Sequence, residues 1–279
     1  MHVWEFTLVV AAVSALAGFL GALTGLGGGV VITPVLTLLL GVDLRYAIGA
    51  TLISVIATSS GAAAAYVREG YSNIRIGMFL EIATTCGAIL GAYLAVRTPT
   101  SALAVIFGGV LLYSAWVSSR GHMDQHPDPP PDRLATALRF HGSYPAPDGL
   151  RSYRVTRVKS GFALMFGAGT LSGLLGIGSG ALKVIAMDQA MRIPFKVSTT
   201  TSNFMIGVTA AASAGVYLNR GYVDPELAMP VMLGVLAGSA IGARYLPRAH
   251  TGRLRTLFAL VVGLLAMEMI YSGLAGRLR

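Results

Sequence analysis

Two stretches decide the fold: Gly25-Leu26-Gly27-Gly28-Gly29 and Gly176-Ile177-Gly178-Ser179-Gly180, which lie 151 residues apart. Both break apolar sequence. The same offset, without a gap, pairs Tyr66 with Tyr217, Gly70 with Gly221, Tyr71 with Tyr222, Gly87 with Gly238, Gly91 with Gly242, Arg97 with Arg248 and Phe107 with Phe258. In a helix each glycine costs about 1 kcal/mol relative to alanine, so several within five residues end it. At membrane depth such an end is tolerated only where protein or a polar cavity surrounds it. A duplicated hydrophobic unit with an interrupted helix in each half is the sequence mark of a membrane transporter site.

Composition agrees. A soluble domain carries about 25% charged residues; this chain of 279 residues has 12%, with 54% hydrophobic residues and a mean hydropathy of +0.68. That much apolar surface requires lipid as solvent. Apolar segments of about 20 residues recur, enough to cross roughly 30 Å of hydrocarbon as helix, and the alternation of a membrane barrel is absent. The net charge of +9 sits between apolar spans, where it sets topology, so nucleic acid is not an expected partner. The single cysteine, Cys86, reads as a small buried packing residue. The N-terminus lacks a basic n-region and reads as the first membrane segment.

Five apolar segments fall in each half, near 5–24, 28–40, 46–66, 77–96 and 101–119, then 160–175, 179–190, 196–218, 227–247 and 252–272. The second of each set is short and reads as a half-helix joined to its predecessor at the glycine break. The expected class is an all-α polytopic membrane protein: a first transmembrane repeat over 1–119, a flexible cytoplasmic linker over 120–158 and a second transmembrane repeat over 159–279. The linker carries Asp128-Pro129-Pro130-Pro131-Asp132 and Tyr144-Pro145-Ala146-Pro147, too proline-rich and too polar for a core; a short surface helix fits Arg133–Phe140. Charge chooses between inverted and parallel repeats. With inverted halves and the linker inside, fifteen basic residues face the cytoplasm and five (Arg45, Arg97, Arg220, Arg277, Arg279) face out; parallel halves put eight outside. Inverted repeats with broken helices or hairpins are favoured.

The candidate site follows from the breaks. Amides freed at a helix start carry partial positive charge and receive anions. Gly25, Gly27, Gly28, Gly29, Gly176, Gly178, Ser179 and Gly180 are the candidates for that role. Lys183, three residues past Gly180 in apolar sequence, is a functional candidate by default; its repeat counterpart is Ile32. Thr51 and the run Ser198, Thr199, Thr201, Ser202 and Asn203 supply neutral donors for an oxyanion. Gly87/Gly91 and Gly238/Gly242 have the G-x-x-x-G spacing of close helix packing. Glu81 and Glu268 are readable as proton-coupling groups, but a helix-end position facing water or a partner is the plainer reading. The histidines His2, His122, His126, His141 and His250 fall in termini or loops with no metal-ligand spacing. No phosphate-loop lysine follows Gly29. No metal, cofactor or catalytic constellation is expected, and an enzyme is not.

The run from Gly21 to Val30 with Pro34, the helix reaching Tyr66 and Gly70, and Gly87-Ala88-Ile89-Leu90-Gly91 resemble the TauE/SafE (TSUP) family of sulfite and sulfonate permeases. The second copy, Gly173 to Gly180, repeats the pattern, so the resemblance covers 8–119 and 160–272 but not the linker. It implies a multi-pass protein of the cell (inner or plasma) membrane that moves small sulfur-containing anions, often outward. Two departures, Ile185 opposite Pro34 and Ser179 opposite Gly28, make the halves chemically unequal. The expected function is a secondary transporter, an exporter of sulfite or organosulfonates, working by alternating access. Its expected partners are a small anionic substrate and the lipid bilayer, with a coupling proton or ion and a homo-oligomer left open. An anion channel and a membrane assembly or sensor protein are the alternatives.

Overall fold

The computed structural model describes residues 3–24, 29–68, 72–119, 132–146, 149–245 and 251–277. The first half contains α1 (Val3–Thr24), α2 (Gly29–Leu40), α3 (Leu44–Arg68), α4 (Ile74–Arg97) and α5 (Thr100–Ser119). The second contains α7 (Val158–Leu175), α8 (Gly180–Ile185) with a π-helical turn (Ala186–Ala190), α9 (Phe195–Asn219), α10 (Pro225–Tyr245) and α11 (Thr251–Leu274). Between them lie α6 (Arg133–Ala137) and a two-stranded antiparallel hairpin, β1 (Gly142–Ala146) with β2 (Gly149–Tyr153). Among the described residues, Ile74–Arg97, Val158–Leu175 and Pro225–Gly242 are long and apolar enough to cross a membrane by length and composition; the apolar stretches of α1, α2, α3, α5 and α11 are shorter. Large apolar side chains such as Leu8, Leu16, Met78, Leu233 and Leu264 face outward, while hydroxyls such as Thr33, Thr51, Ser54, Thr84, Ser202 and Thr209 are buried. That distribution suits a lipid exterior around a polar-lined centre.

The helix contacts obey the repeat. Gly18 of α1 lies against Val235 of α10, and Gly169 of α7 lies against Thr84 of α4. Gly87 of α4 lies against Phe166 of α7, and Gly238 of α10 lies against Ala15 of α1. Each second contact is the first displaced by 151 residues with the halves exchanged. Every half therefore lends its fourth helix to the first helix of the other.

Counterpart helices run in opposite directions. At one end of the bundle, Arg45 at the start of α3 donates Nη2 to the carbonyls of Thr98 (3.0 Å) and Val96 (3.4 Å), and its guanidinium lies over Tyr222, just past α9. At the other end, Asn73, just past α3, donates its backbone N–H to Thr201 Oγ1 near the start of α9 (3.0 Å). So α3 and α9 are antiparallel. The backbone N–H of Thr156, just before α7, donates to the carbonyl of Met191, just after the π turn (3.1 Å). Thus α7 enters from the linker end and 180–190 returns to that end, as a re-entrant hairpin.

Two sequence readings change. The linker read as a flexible tether is, from Asp132 onward, a docked element. Ala135, Phe140, Val155 and Val158 are buried with Ile76 and Leu80 of α4 and with Met187, Met191 and Ile193. Four apolar side chains suffice because the helix ends below complete the core. Asn73 fastens it, donating Nδ2 to the Phe140 carbonyl (2.9 Å) and to the Tyr153 hydroxyl (2.8 Å). Burial raises the Tyr153 phenol above its ordinary value, and the Asn73 bond opposes that shift. Cys86, read as buried, is exposed on the outward face of α4.

The glycine contacts and the linker each make a test. A Cβ at Gly173 would lie 1.9 Å from the carbonyl oxygen of Ala88, whereas one at Gly167 on the same helix meets nothing within 4 Å. Gly173→Ala is expected to lower stability in detergent by about 1–3 kcal/mol, and Gly167→Ala to leave Tm unchanged or raised; equal Tm values would refute the α4–α7 seam. Asp132 caps α6 through Leu134 N–H (2.9 Å) and also accepts from Val158 N–H (3.0 Å). These backbone bonds, Val158 foremost, hold its carboxyl below the ordinary value of 3.8. A depressed carboxyl stabilises the docked linker above that value and loses the effect as pH falls through its own lower value. Hydrogen exchange over 133–158 is therefore expected to accelerate on acidification in the native protein. Asp132→Ala should show the fast exchange already at neutral pH, and slow exchange in that variant would contradict the tether.

Candidate functional site

Helix breaks need special backbone conformations, and the second break shows them. Gly176 (φ +68°) ends α7 and Gly178 (φ +70°) follows, both in the left-handed region that glycine adopts without penalty. Ser179 takes the same region (φ +44°), which costs a residue with a Cβ and marks sites held by their surroundings. The last carbonyls of α7 do not go unpaired: the buried Tyr217 hydroxyl lies 3.3 Å from those of Gly173 and Leu174. Ser202 Oγ donates to the carbonyl of Gly180 (3.2 Å).

The breaks sit equivalently at the middle of the antiparallel pair α3 and α9. The Cβ direction of Gly29 points at Val55 Cγ2 (2.7 Å) and Thr51 Cγ2 (3.1 Å), and that of Gly180 at Ile206 Cδ1 (2.7 Å) and Ser202 Oγ (3.8 Å). Those contacts interconvert under the 151-residue offset. The two breaks also meet each other. A Cβ at Gly29 would lie 3.6 Å from the Ile177 carbonyl oxygen, and one at Gly178 would touch both Ile206 (2.8 Å) and Val55 (3.2 Å). Among the described residues, side chains of Val55 and Ile206 fill this junction. A surface cavity of about 270 Å³ lies elsewhere, at the linker end, lined by residues including Asn73, Arg75, Arg139, His141 and Tyr153.

The structure sorts the expected site residues. Gly25, Gly27 and Gly28 lie outside the described residues. Gly29, Thr51, Gly178, Ser179, Gly180 and Ser202 come together, with Gly176 one step away against Ile48. Thr51 is buried and accepts from Thr33 Oγ1 (2.9 Å). Ser179 is 3% exposed, and its Oγ has no hydrogen-bond partner. The hydroxyl run on α9 does not converge, because successive helical residues turn by about 100°. Ser198 donates to the Ile193 carbonyl (3.1 Å) and Thr201 accepts from Asn73, both at the linker end. Thr199 Oγ1 is buried without a partner, and Asn203 is half-buried.

Lys183 is fully buried and does not stand alone. Helical side chains lean back toward their N-terminus, and this one reaches Thr209, one turn along α9 from Ile206. Nζ donates to Thr209 Oγ1 (2.5 Å), which in turn donates to Glu81 Oε1 of α4 (2.6 Å). Glu81 Oε2 lies 4.0 Å from Nζ, and Thr85 donates to Oε1 (3.1 Å). Sequence reading put Glu81 near a helix end facing water or a partner. Instead it is buried, 8% exposed, opposite the lysine. Its signal was partial: a carboxylate eight residues into an apolar helix needs a buried partner, but the sequence does not say which residue supplies it. Glu268 is exposed, and its Oε1 accepts from Ser272 in the last turns of α11 (3.1 Å). A buried pair penalises loss of one partner more than loss of both. Glu81→Ala is expected to cost about 3–5 kcal/mol in unfolding experiments in detergent, and Glu81→Leu combined with Lys183→Met to restore most of it. Simple additivity of the two changes would show that the pair is not coupled.

Known proteins agree with a transport role. Residues 10–269 match the family described as "Sulfite exporter TauE/SafE". The chain is similar to the "Probable membrane transporter protein YunE" of Bacillus subtilis (strain 168), 26% identical over 96% of this chain and 98% of the relative. A "Probable membrane transporter protein" of Xylella fastidiosa (strain 9a5c) is 26% identical over 93% of each chain. One of Methanocaldococcus jannaschii is 25% identical over 92% of this chain and 93% of the relative. No solved structure matches. The relatives are named as transporters, not enzymes, and the family match covers nearly the whole chain. The protein belongs to the TauE/SafE family of membrane transporters.

Proposed function

We propose that the protein is a secondary transporter of small sulfur oxyanions, sulfite or an organosulfonate, exporting them across the cell membrane by alternating access of two inverted repeats. The observation that carries this reading is the Ser179 hydroxyl: buried, without a partner, and held in a left-handed conformation where the two breaks meet. A buried donor left unpaired costs about 1–3 kcal/mol, a cost that a bound oxyanion would remove. Thr51 and Ser202 flank the same junction from α3 and α9, and Lys183 stands behind it as the local positive charge. The family description names sulfite, which supports the substrate class. The antiparallel course of α3 and α9 supports inversion, and the excess of basic residues at the linker end supports a cytoplasmic linker.

Transport of labelled sulfite and taurine in proteoliposomes tests the reading. Saturable flux with counterflow is expected, and ohmic current without saturation would replace the carrier by a channel. Lys183→Ala and Lys183→Gln, reconstituted at equal amounts of folded protein, are expected to reduce flux at least tenfold; unchanged flux in both would remove the lysine from the mechanism. Ser179→Gly, which installs the residue of the first copy, relieves about 1 kcal/mol of backbone strain. It is therefore expected to raise Tm while weakening substrate affinity. A higher Tm with unaltered affinity would deny the hydroxyl a role in binding.

A further inference from the structure

The Glu81 carboxylate is only half satisfied. Oε1 accepts from Thr209 and Thr85, but Oε2 is buried with no donor and lies 4.0 Å from the ammonium of Lys183. Thr209 stands between the charges, taking the short bond from Nζ itself. The pair as it stands is neutral. An anion arriving beside Lys183 would leave one uncompensated negative charge in a low-dielectric interior, an arrangement buried sites avoid. The open valence of Oε2 is where a proton restores balance.

We infer that Glu81 binds the coupling proton of the transporter, its Oε2 taking up one proton as the anion binds and giving it up as the anion leaves. This rests on the transport reading and adds its co-substrate. The step forms one O–H bond and breaks none: carboxylate and proton become carboxyl, and Lys183 stays an ammonium. The empty site is ammonium plus carboxylate, net zero. The loaded site is ammonium, carboxyl and monoanion, also net zero. Both states that must turn over in the membrane carry no net charge in the site, whereas anion alone or proton alone would. Proton and anion therefore bind cooperatively and travel together.

The surroundings of Glu81 contain one other titratable group among the described contacts, Lys183, and the Glu81→Gln variant below separates the two. Thr84 and Thr85 face it from α4, Thr209 from α9 and Lys183 from α8. Across the α4–α7 seam stand the Gly169 backbone and the methionine side chain of Met165. The linker residues packed on this part of α4 are the apolar Ala135 and Phe140. The repeat-related positions form no equivalent device: those matching Lys183, Thr209 and Glu81 are Ile32, Thr58 and Met232. One proton per cycle is the expected stoichiometry.

Isethionate, a sulfonate monoanion that remains ionised across the neutral range, is the probe. Its binding to the purified full-length protein in lipid nanodiscs is measured by calorimetry from mildly acidic to mildly alkaline buffer. Two buffers of different ionisation heat report the protons taken up. The wild type is expected to take up close to one proton per isethionate and to weaken about tenfold per pH unit on the alkaline side. In proteoliposomes an entrapped pH dye should report protons moving with isethionate in the same direction. Glu81→Gln imitates the protonated carboxyl. It is expected to bind isethionate independently of pH, at the affinity the wild type reaches only in acid, with no proton uptake. Wild-type binding that is insensitive to pH and takes up no protons overturns the inference while leaving the carrier intact, and needs no variant to fold. Persistence of the pH dependence in Glu81→Gln, or loss of binding by that variant in folded form, overturns it as well. A wild-type protein that neither binds nor moves isethionate, sulfite or taurine would sink the transport reading, and the proton site with it.

Discussion

An interrupted helix inside a membrane leaves backbone groups that lipid cannot satisfy, and the protein must enclose them. Here the enclosure is made by the middles of α3 and α9. Val55 and Ile206 cover the two breaks, the Tyr217 hydroxyl serves the last carbonyls of α7, and Ser202 serves Gly180. Enclosure at this distance requires the supporting helices to approach closely. The glycines at 18, 87, 169 and 238 permit it, each placing backbone against backbone on a neighbouring helix. The packing glycines thus serve the breaks indirectly: without the α1–α10 and α4–α7 seams, α3 and α9 would lack the lateral support that holds the junction shut.

The two halves share a backbone plan but not a chemistry. Equivalent glycines meet equivalent partners, Gly29 with Val55 and Gly180 with Ile206. Yet the second break carries Ser179 where the first has Gly28, and behind it lie Lys183 and Glu81 where the repeat-related positions hold Ile32 and Met232. A symmetric scaffold offers two places for a solute; chemical asymmetry selects one. The second hairpin is the one that returns through a π-helical turn to the linker end, and the linker docks there against α4 of the first half and the residues after that turn.

Much of this could be read from the chain. The 151-residue offset foretold which glycines are equivalent, and the contacts of Gly18 and Gly169 repeat it in three dimensions. The helix limits fall within three residues of the apolar segments, because a membrane helix is delimited by composition. Two things were illegible. The pairing of Glu81 with Lys183 joins residues about a hundred positions apart through the exchange of fourth helices between halves, which no local pattern encodes. The dispersal of the hydroxyl run depends on helix rotation and rise: Thr199 and Asn203 turn away from the face shared by Ser198, Thr201 and Ser202, and on that face Ser198 and Thr201 bond groups at the linker end while Ser202 reaches Gly180. The linker misled for a different reason. Its proline content is high, and its few apolar residues find a core only because α4 and the α8–α9 turn supply one.

The contacts fall into two kinds, and the difference bears on how such a junction opens. Within the α4–α7 and α1–α10 seams, backbone touches backbone, so sliding is opposed by rigid atoms. Between α3 and α9 the contact is made by side chains: Val55 and Ile206 at the breaks, Ser59 against Gly207 beyond them. Side chains change rotamer; backbones in close contact do not yield without separation. Asn73 joins the α3–α4 turn, the linker and α9 in one hydrogen-bonded knot at the linker end, while Arg45 joins α3 to the α4–α5 turn at the other. Relative motion at the centre is therefore easiest where the two breaks meet, and it is anchored at both ends. For alternating access as proposed, that places the yielding surface at the solute site, so that a bound anion replaces the Val55 and Ile206 contacts that close the site in its absence.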